Sequence, residues 1–128
     1  MGHACRHILV AEDDPDLLAA IGEFLEAEGI EPTLCGSAAA LVELVAAGRP
    51  RCDAILLDAT LDGAPMDALL QRLRSHPGWG EVPVAVMSGH PLRRFAYLPA
   101  DAFLEKPFEL DRLNDVLRRL CARATGSA

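Results

Sequence analysis

The sequence is short of positive charge. Its 128 residues hold a single lysine, Lys106, beside eleven arginines, and the formal net charge is −7. Such a surface repels a polyanionic duplex, which argues against direct nucleic-acid binding. No apolar run approaches bilayer-crossing length, and the opening MGHACRH lacks the hydrophobic stretch of a secretory signal. A soluble, cytoplasmic chain with no membrane partner is therefore expected. None of the four cysteines, Cys5, Cys35, Cys52 and Cys121, falls in a CxxC or near a histidine at ligand spacing, so a zinc site is not expected. All four read as unremarkable residues, with Cys35 and Cys121 as small core side chains. Internal repeats and low-complexity linkers are absent too. At this length the expectation is one domain over 1–128, with a core from about 7 to 123.

What is present is apolar: 51% of the residues, enough for a core. The run His7–Ala11 stops at three acids, Glu12, Asp13 and Asp14. Leu17, Leu18, Ile21, Phe24 and Leu25 then recur at helical spacing until Gly29. Asp14 as N-cap, Pro15 at the first helical position and Gly29 at the end mark a helix. Further strands are expected at Glu31–Cys35, at Ala54–Leu57 running into Asp58, at Val82–Met87 and at Ala102–Glu105. Helices are expected from Ser37 to Gly48, from about Pro65 to Ser75, and after Pro107. The last should carry Leu110, Leu113, Leu117, Leu120 and Cys121 on its inner face. Between Gly89 and Pro99 there is room only for a very short helix. Five apolar strands alternating with five helical segments predict a doubly wound α/β domain with a parallel sheet.

Ligands of an open parallel sheet bind beyond the carboxyl ends of its strands. The first apolar run is followed by Glu12 and Asp13, the third by Asp58, the fourth by Ser88 and the fifth by Lys106. Taken singly, each has a plain explanation: an N-cap, a turn, a strand exit. Together they place carboxylates, a hydroxyl and an ammonium on one edge. Crowded carboxylates need a cation to stay ionised, and an all-oxygen cluster favours magnesium. A carboxylate beside magnesium, with a hydroxyl and an ammonium nearby, has the parts for phosphoryl transfer onto Asp58. The lone Lys106, against the arginine bias, fits a place where a compact ammonium is wanted.

The segments ILVAEDDPDLL, AILLDATLDG, VPVAVMSG and DAFLEKPFELDRL resemble those of response-regulator receiver domains, over about His7 to Arg123. The resemblance implies a flavodoxin-like fold of strand order 2-1-3-4-5. It implies Asp58 as phosphoacceptor, served by a phosphohistidine on a sensor histidine kinase or histidine phosphotransfer protein. Asp13 would ligate Mg2+ directly, Glu12 mainly through water, and the Thr60 carbonyl would join Asp58 in the coordination. Ser88 takes the hydroxyl position, Lys106 the lysine position and Phe103 the aromatic switch. The chain would act as a signalling phosphoacceptor and not a turnover enzyme, changing its outer surface for an unidentified downstream protein.

Some features depart from that pattern. Asp62 stands where many relatives carry proline, Phe103 lacks a hydroxyl, and Thr60 and His90 lie where relatives vary. Eighteen positions separate Ser88 from Lys106, fewer than in the commonest arrangement, and the shortfall lies in the fourth helical segment. That shortening motivates one alternative, a receiver-like binding module that works without phosphate. A hydrolase that uses a strand-end aspartate is another. It would need an acid two positions after Asp58, where Thr60 stands.

Overall fold

The computed structural model describes residues 4–48, 51–90 and 99–124. Five parallel strands, β1 (His7–Ala11), β2 (Glu31–Cys35), β3 (Ala54–Asp58), β4 (Val84–Ser88) and β5 (Ala102–Glu105), form one sheet of order β2-β1-β3-β4-β5. Four α-helices are present among the described residues: α1 (Pro15–Ala27), α2 (Ala38–Ala47), α3 (Met66–Ser75) and α4 (Leu110–Ala124). A 3-10 turn, Leu61–Gly63, precedes α3. The short helix expected between Gly89 and Pro99 falls on 91–98, outside the described residues.

Strand alternation sorts the core into two layers. Leu9, Ala11, Ile55, Leu57, Val84 and Val86 face α2 and α3, while Ile8, Val10, Ala54, Leu56, Ala85 and Met87 face α1 and α4. The central strands β3 and β4 are buried throughout, and the edge strands β2 and β5 are not. Each fully buried Leu or Ile contributes about 1.5–3 kcal/mol, whereas an exposed ion pair contributes about 0–1 kcal/mol. The apolar layers therefore hold the fold, and the polar rim can be shaped for other ends.

The start and stop signals act as expected. Asp14 Oδ1 accepts the N–H groups of Asp16 and Leu17 at 3.0 and 3.4 Å, with Pro15 opening α1. Gly29 follows at φ 79°, a left-handed conformation that ends the helix. Ser37 caps α2 through Ala40 N–H at 3.1 Å.

Three expectations are corrected. β4 begins at Val84 and not Val82, because Val82 closes a turn onto the Trp79 carbonyl and Pro83 follows it. Leu110 does not join the inner face of α4: it is 56% exposed at the first residue of the helix, and Val116 completes the face with Leu113, Leu117 and Leu120. Nor are all four cysteines plain core residues. Cys5 and Cys121 form a disulfide, their Cα atoms 5.1 Å apart across a sequence separation of 116. The segment before β1 and the end of α4 lie in the same layer, which chain spacing does not reveal. Cys35 and Cys52 remain free thiols. Burial pushes Cys35 up to about 11, and burial with the Asp53 charge pushes Cys52 up to about 12.

Candidate functional site

Sheet register brings the strand ends level. Backbone bonds then carry the ladder one step further: Glu12 N–H to the Cys35 carbonyl at 3.0 Å, Ala59 N–H to Met87 at 2.7 Å, and Lys106 N–H to Ser88 at 2.7 Å. These bonds fix the backbone on which Glu12, Asp58, Ser88 and Lys106 stand. The spatial meeting expected of distant chain segments is present. One carboxylate oxygen from each of Glu12, Asp13 and Asp58 lies within 4.8 Å of the other two.

Each acid has a distinct setting. Glu12, 1% exposed, accepts Asp14 N–H through Oε2 at 3.0 Å. Its buried Oε1 receives no hydrogen bond of regular geometry and is compensated by the charge of Lys106 Nζ at 2.6 Å. Burial raises the Glu12 pKa, against the lowering effects of Lys106 and of the Asp14 N–H. Asp13 is exposed on the rim, and its Oδ2 accepts Asp62 N–H at 2.8 Å. That bond, first among several causes, holds the Asp13 carboxyl below its ordinary value. Asp58 lies at the floor, its side chain 2% exposed. Its Oδ1 accepts Thr60 N–H at 3.1 Å and the Thr60 hydroxyl at 3.3 Å, and faces Lys106 Nζ at 3.4 Å. Partial burial works against the Lys106 charge, but the Glu12 bond and the Asp58 and Glu12 charges outweigh it and raise its pKa.

The remaining positions are mixed. Ser88 is buried at the end of β4, and its hydroxyl is committed to the His90 backbone, 3.0 Å from N and 3.3 Å from the carbonyl oxygen. Phe103 pairs with Val86 across β4 and β5 and packs, partly buried, on the α2/α3 layer. Trp79 is buried and lines a cleft with Cys52, Asp53 and Pro83, at the opposite end of the sheet from the acids. The bond between Asp62 and Asp13 had no signal in the sequence beyond an aspartate where proline was expected.

The cluster suits a hard divalent cation. Its donors are carboxylate oxygens from three acids. Among the described residues only one ammonium, Lys106, faces them, at Glu12 and Asp58, so a cation there would balance the remaining negative charge.

Comparison with known proteins agrees with this geometry. The family described as Response regulator receiver domain matches residues 8–118. The nitrogen assimilation regulatory protein NtrX of Azorhizobium caulinodans is 36% identical over 123 residues, covering 88% of this chain and 25% of that protein. The transcriptional activator protein PfeR of Pseudomonas aeruginosa is 37% identical, covering 88% of this chain and 37% of its own length. The chain thus spans well under half of either relative. Among solved structures, the receiver domain of a Pseudomonas aeruginosa sensor histidine kinase, with a magnesium ion coordinated in its active-site cleft, superposes with a TM-score of 0.80 at 25% identity. That match covers 95% of this chain and 99% of that one. A CheY-like receiver from Methanospirillum hungatei, 20% identical, shares the fold with a TM-score of 0.81. The fold and the acidic rim define a signalling class, the receiver domains of two-component systems. This chain belongs to the response-regulator receiver family.

Proposed function

We propose that Asp58 is the phosphoacceptor of this domain, taking a phosphoryl group from a phosphohistidine on a sensor histidine kinase or histidine phosphotransfer protein. The observation that carries the reading is the convergence of Glu12, Asp13 and Asp58 with Lys106 on one edge of the sheet. In this reading the chain is a single receiver unit over 1–128, core about 7–123, acting in the cytoplasm. Asp13, Asp58 and the Thr60 carbonyl would hold Mg2+, with Glu12 acting through water. The bound ion would neutralise charge on the equatorial phosphoryl oxygens.

The residues of the chain divide the rest of the work. Thr60 orients the Asp58 carboxylate through Oδ1. An Asp58 oxygen forms the new bond to phosphorus as the P–N bond of the donor breaks, and the electron pair leaves with the imidazole. Lys106 now serves as counter-ion to Glu12 and Asp58. From that position its ammonium can meet a phosphoryl oxygen carried on Asp58. Ser88 must exchange its bonds to His90 for one to that same group, and this rearrangement with Phe103 is the switch that alters the outer surface. Self-catalysed transfer and slow hydrolysis are the only reactions required.

Intact-mass measurement after incubation with acetyl phosphate and magnesium tests the reading. Wild type gains the mass of one phosphoryl group and Asp58→Asn gains none. An unmodified wild type, or a modified Asp58→Asn, refutes it. The shortened segment that motivates a phosphate-independent module falls largely outside the described residues. The position two after Asp58 that a hydrolase would give to an acid holds Thr60, already bonded to Asp58.

A further inference from the structure

Asp62 touches the acidic rim and a helix outside it at once. Its backbone is left-handed, φ 33°, in the turn that the fully buried Leu61 anchors. From there its N–H donates to Asp13 Oδ2 at 2.8 Å, and its own Oδ1 accepts Ala38 N–H at 2.9 Å. Ala38 is the first residue of α2, where Ser37 already receives Ala40 N–H. The Asp62 carboxylate is thus committed to the positive end of α2, which suits its charge. The two partners lie 49 and 24 positions away in sequence, so the bridge exists only in the folded chain.

We propose that Asp62 is a positioning residue for the metal site: its N–H orients Asp13, and its carboxylate ties that orientation to the first turn of α2. The proposal rests on the reading of Asp13 as a metal ligand. An N–H bond to one carboxylate oxygen fixes which way the other faces, as partners behind metal ligands commonly do. Because one residue makes both bonds from one constrained backbone conformation, displacement of Asp13 toward a cation is transmitted to Ala38. Cation uptake and the capping of α2 are then coupled, and each favours or opposes the other by the same factor.

Three substitutions separate the parts. Asp62→Asn keeps the N–H, tolerates the left-handed backbone and can still accept from Ala38. Asp62→Gly keeps the N–H and the backbone but deletes the bond to α2. Asp62→Pro removes the N–H and forces φ to about −65°. The probe is magnesium alone, followed by titration calorimetry and by the Ala38 amide resonance in 15N-labelled protein. Wild type and Asp62→Asn should bind within about twofold of one another, and Asp62→Pro about tenfold more weakly, the low end for groups behind metal ligands. Asp62→Gly, which keeps the N–H, should fall between the two. Magnesium should shift the Ala38 resonance in wild type and Asp62→Asn, but not in Asp62→Gly.

A merely structural role would lower the melting temperature without moving the magnesium affinity of the folded protein. Wild-type affinity in Asp62→Gly, or a wild-type Ala38 amide blind to magnesium, overturns the proposal. If Asp62→Pro does not fold, these two measurements decide alone. Failure of wild type to bind magnesium at all defeats the metal-site reading as well, whereas tight binding unaltered in Asp62→Gly defeats only the role of Asp62.

Discussion

Lys106 is the residue on which the resting pocket balances. Glu12 and Asp58 are almost fully buried, and the ammonium lies 2.6 and 3.4 Å from their oxygens. Its pKa in the folded protein stands above the ordinary 10.5. The corresponding stability is fully present below 10.5 and is lost as pH rises through the higher folded value. Lys106→Arg keeps its charge throughout that range. Thermal melts above pH 10.5 should therefore show wild type losing more stability than Lys106→Arg, and equal losses would remove Lys106 as the cause. At neutral pH the same variant should be labelled less well by acetyl phosphate, because a planar guanidinium does not reproduce the compact ammonium. Asp13 is argued the same way from its direct role. Asp13→Asn should weaken magnesium binding by at least about tenfold, since groups that merely stand behind metal ligands are worth about that much. Titration calorimetry gives the answer.

At the scale of elements, a polar hub on Arg74 and Asp101 helps hold the end of the sheet remote from the acids. Arg74 on α3 donates through Nη1 to the Val82 carbonyl at 2.7 Å and through Nη2 to the Pro99 carbonyl and Asp101 Oδ2, both at 3.1 Å. The same Asp101 oxygen accepts Val84 N–H at 2.8 Å at the first residue of β4. This explains the late start of β4: its opening N–H is satisfied by a side chain and not by a longer ladder. Asp101→Ala leaves a buried N–H and a half-buried guanidinium without that partner, which costs about 2–4 kcal/mol. Urea denaturation should show the loss. Acetyl phosphate labelling at saturating magnesium should be unchanged, since this hub and the pocket occupy opposite ends of the strands.

For the molecule as a whole, the Cys5–Cys121 bond closes nearly the entire chain into a loop and ties the segment before β1 to α4. Closing so long a loop constrains the unfolded chain, and such bonds typically contribute about 2–5 kcal/mol. Reduction, or Cys121→Ala, should lower denaturation stability by about that amount. In denaturant without reductant, thiol titration should count two groups, Cys35 and Cys52, and four would disprove the bond. Reducing surroundings open such a pair and oxidising ones preserve it, so melts with and without reductant should differ. In the native state the two free thiols should react slowly near neutral pH, because both are pushed up to about 11 or 12.

Much of the pocket was legible before any coordinates because parallel strands end on a common edge. Whatever follows an apolar run in such a sheet is delivered there, and so Glu12, Asp13, Asp58, Ser88 and Lys106 could be named from their places in the chain. Apolar runs and capping residues likewise determined the elements, since those signals act within a few residues. Three things belonged to tertiary structure alone. The bond from Asp62 to Asp13 depends on one backbone angle in a turn. The Cys5–Cys121 pair depends on two chain ends sharing a layer, and the exposure of Leu110 on where α4 meets the sheet. Each is a distance between groups remote in sequence or a dihedral set by packing. Local patterns carry no record of either, so only the folded chain could decide them.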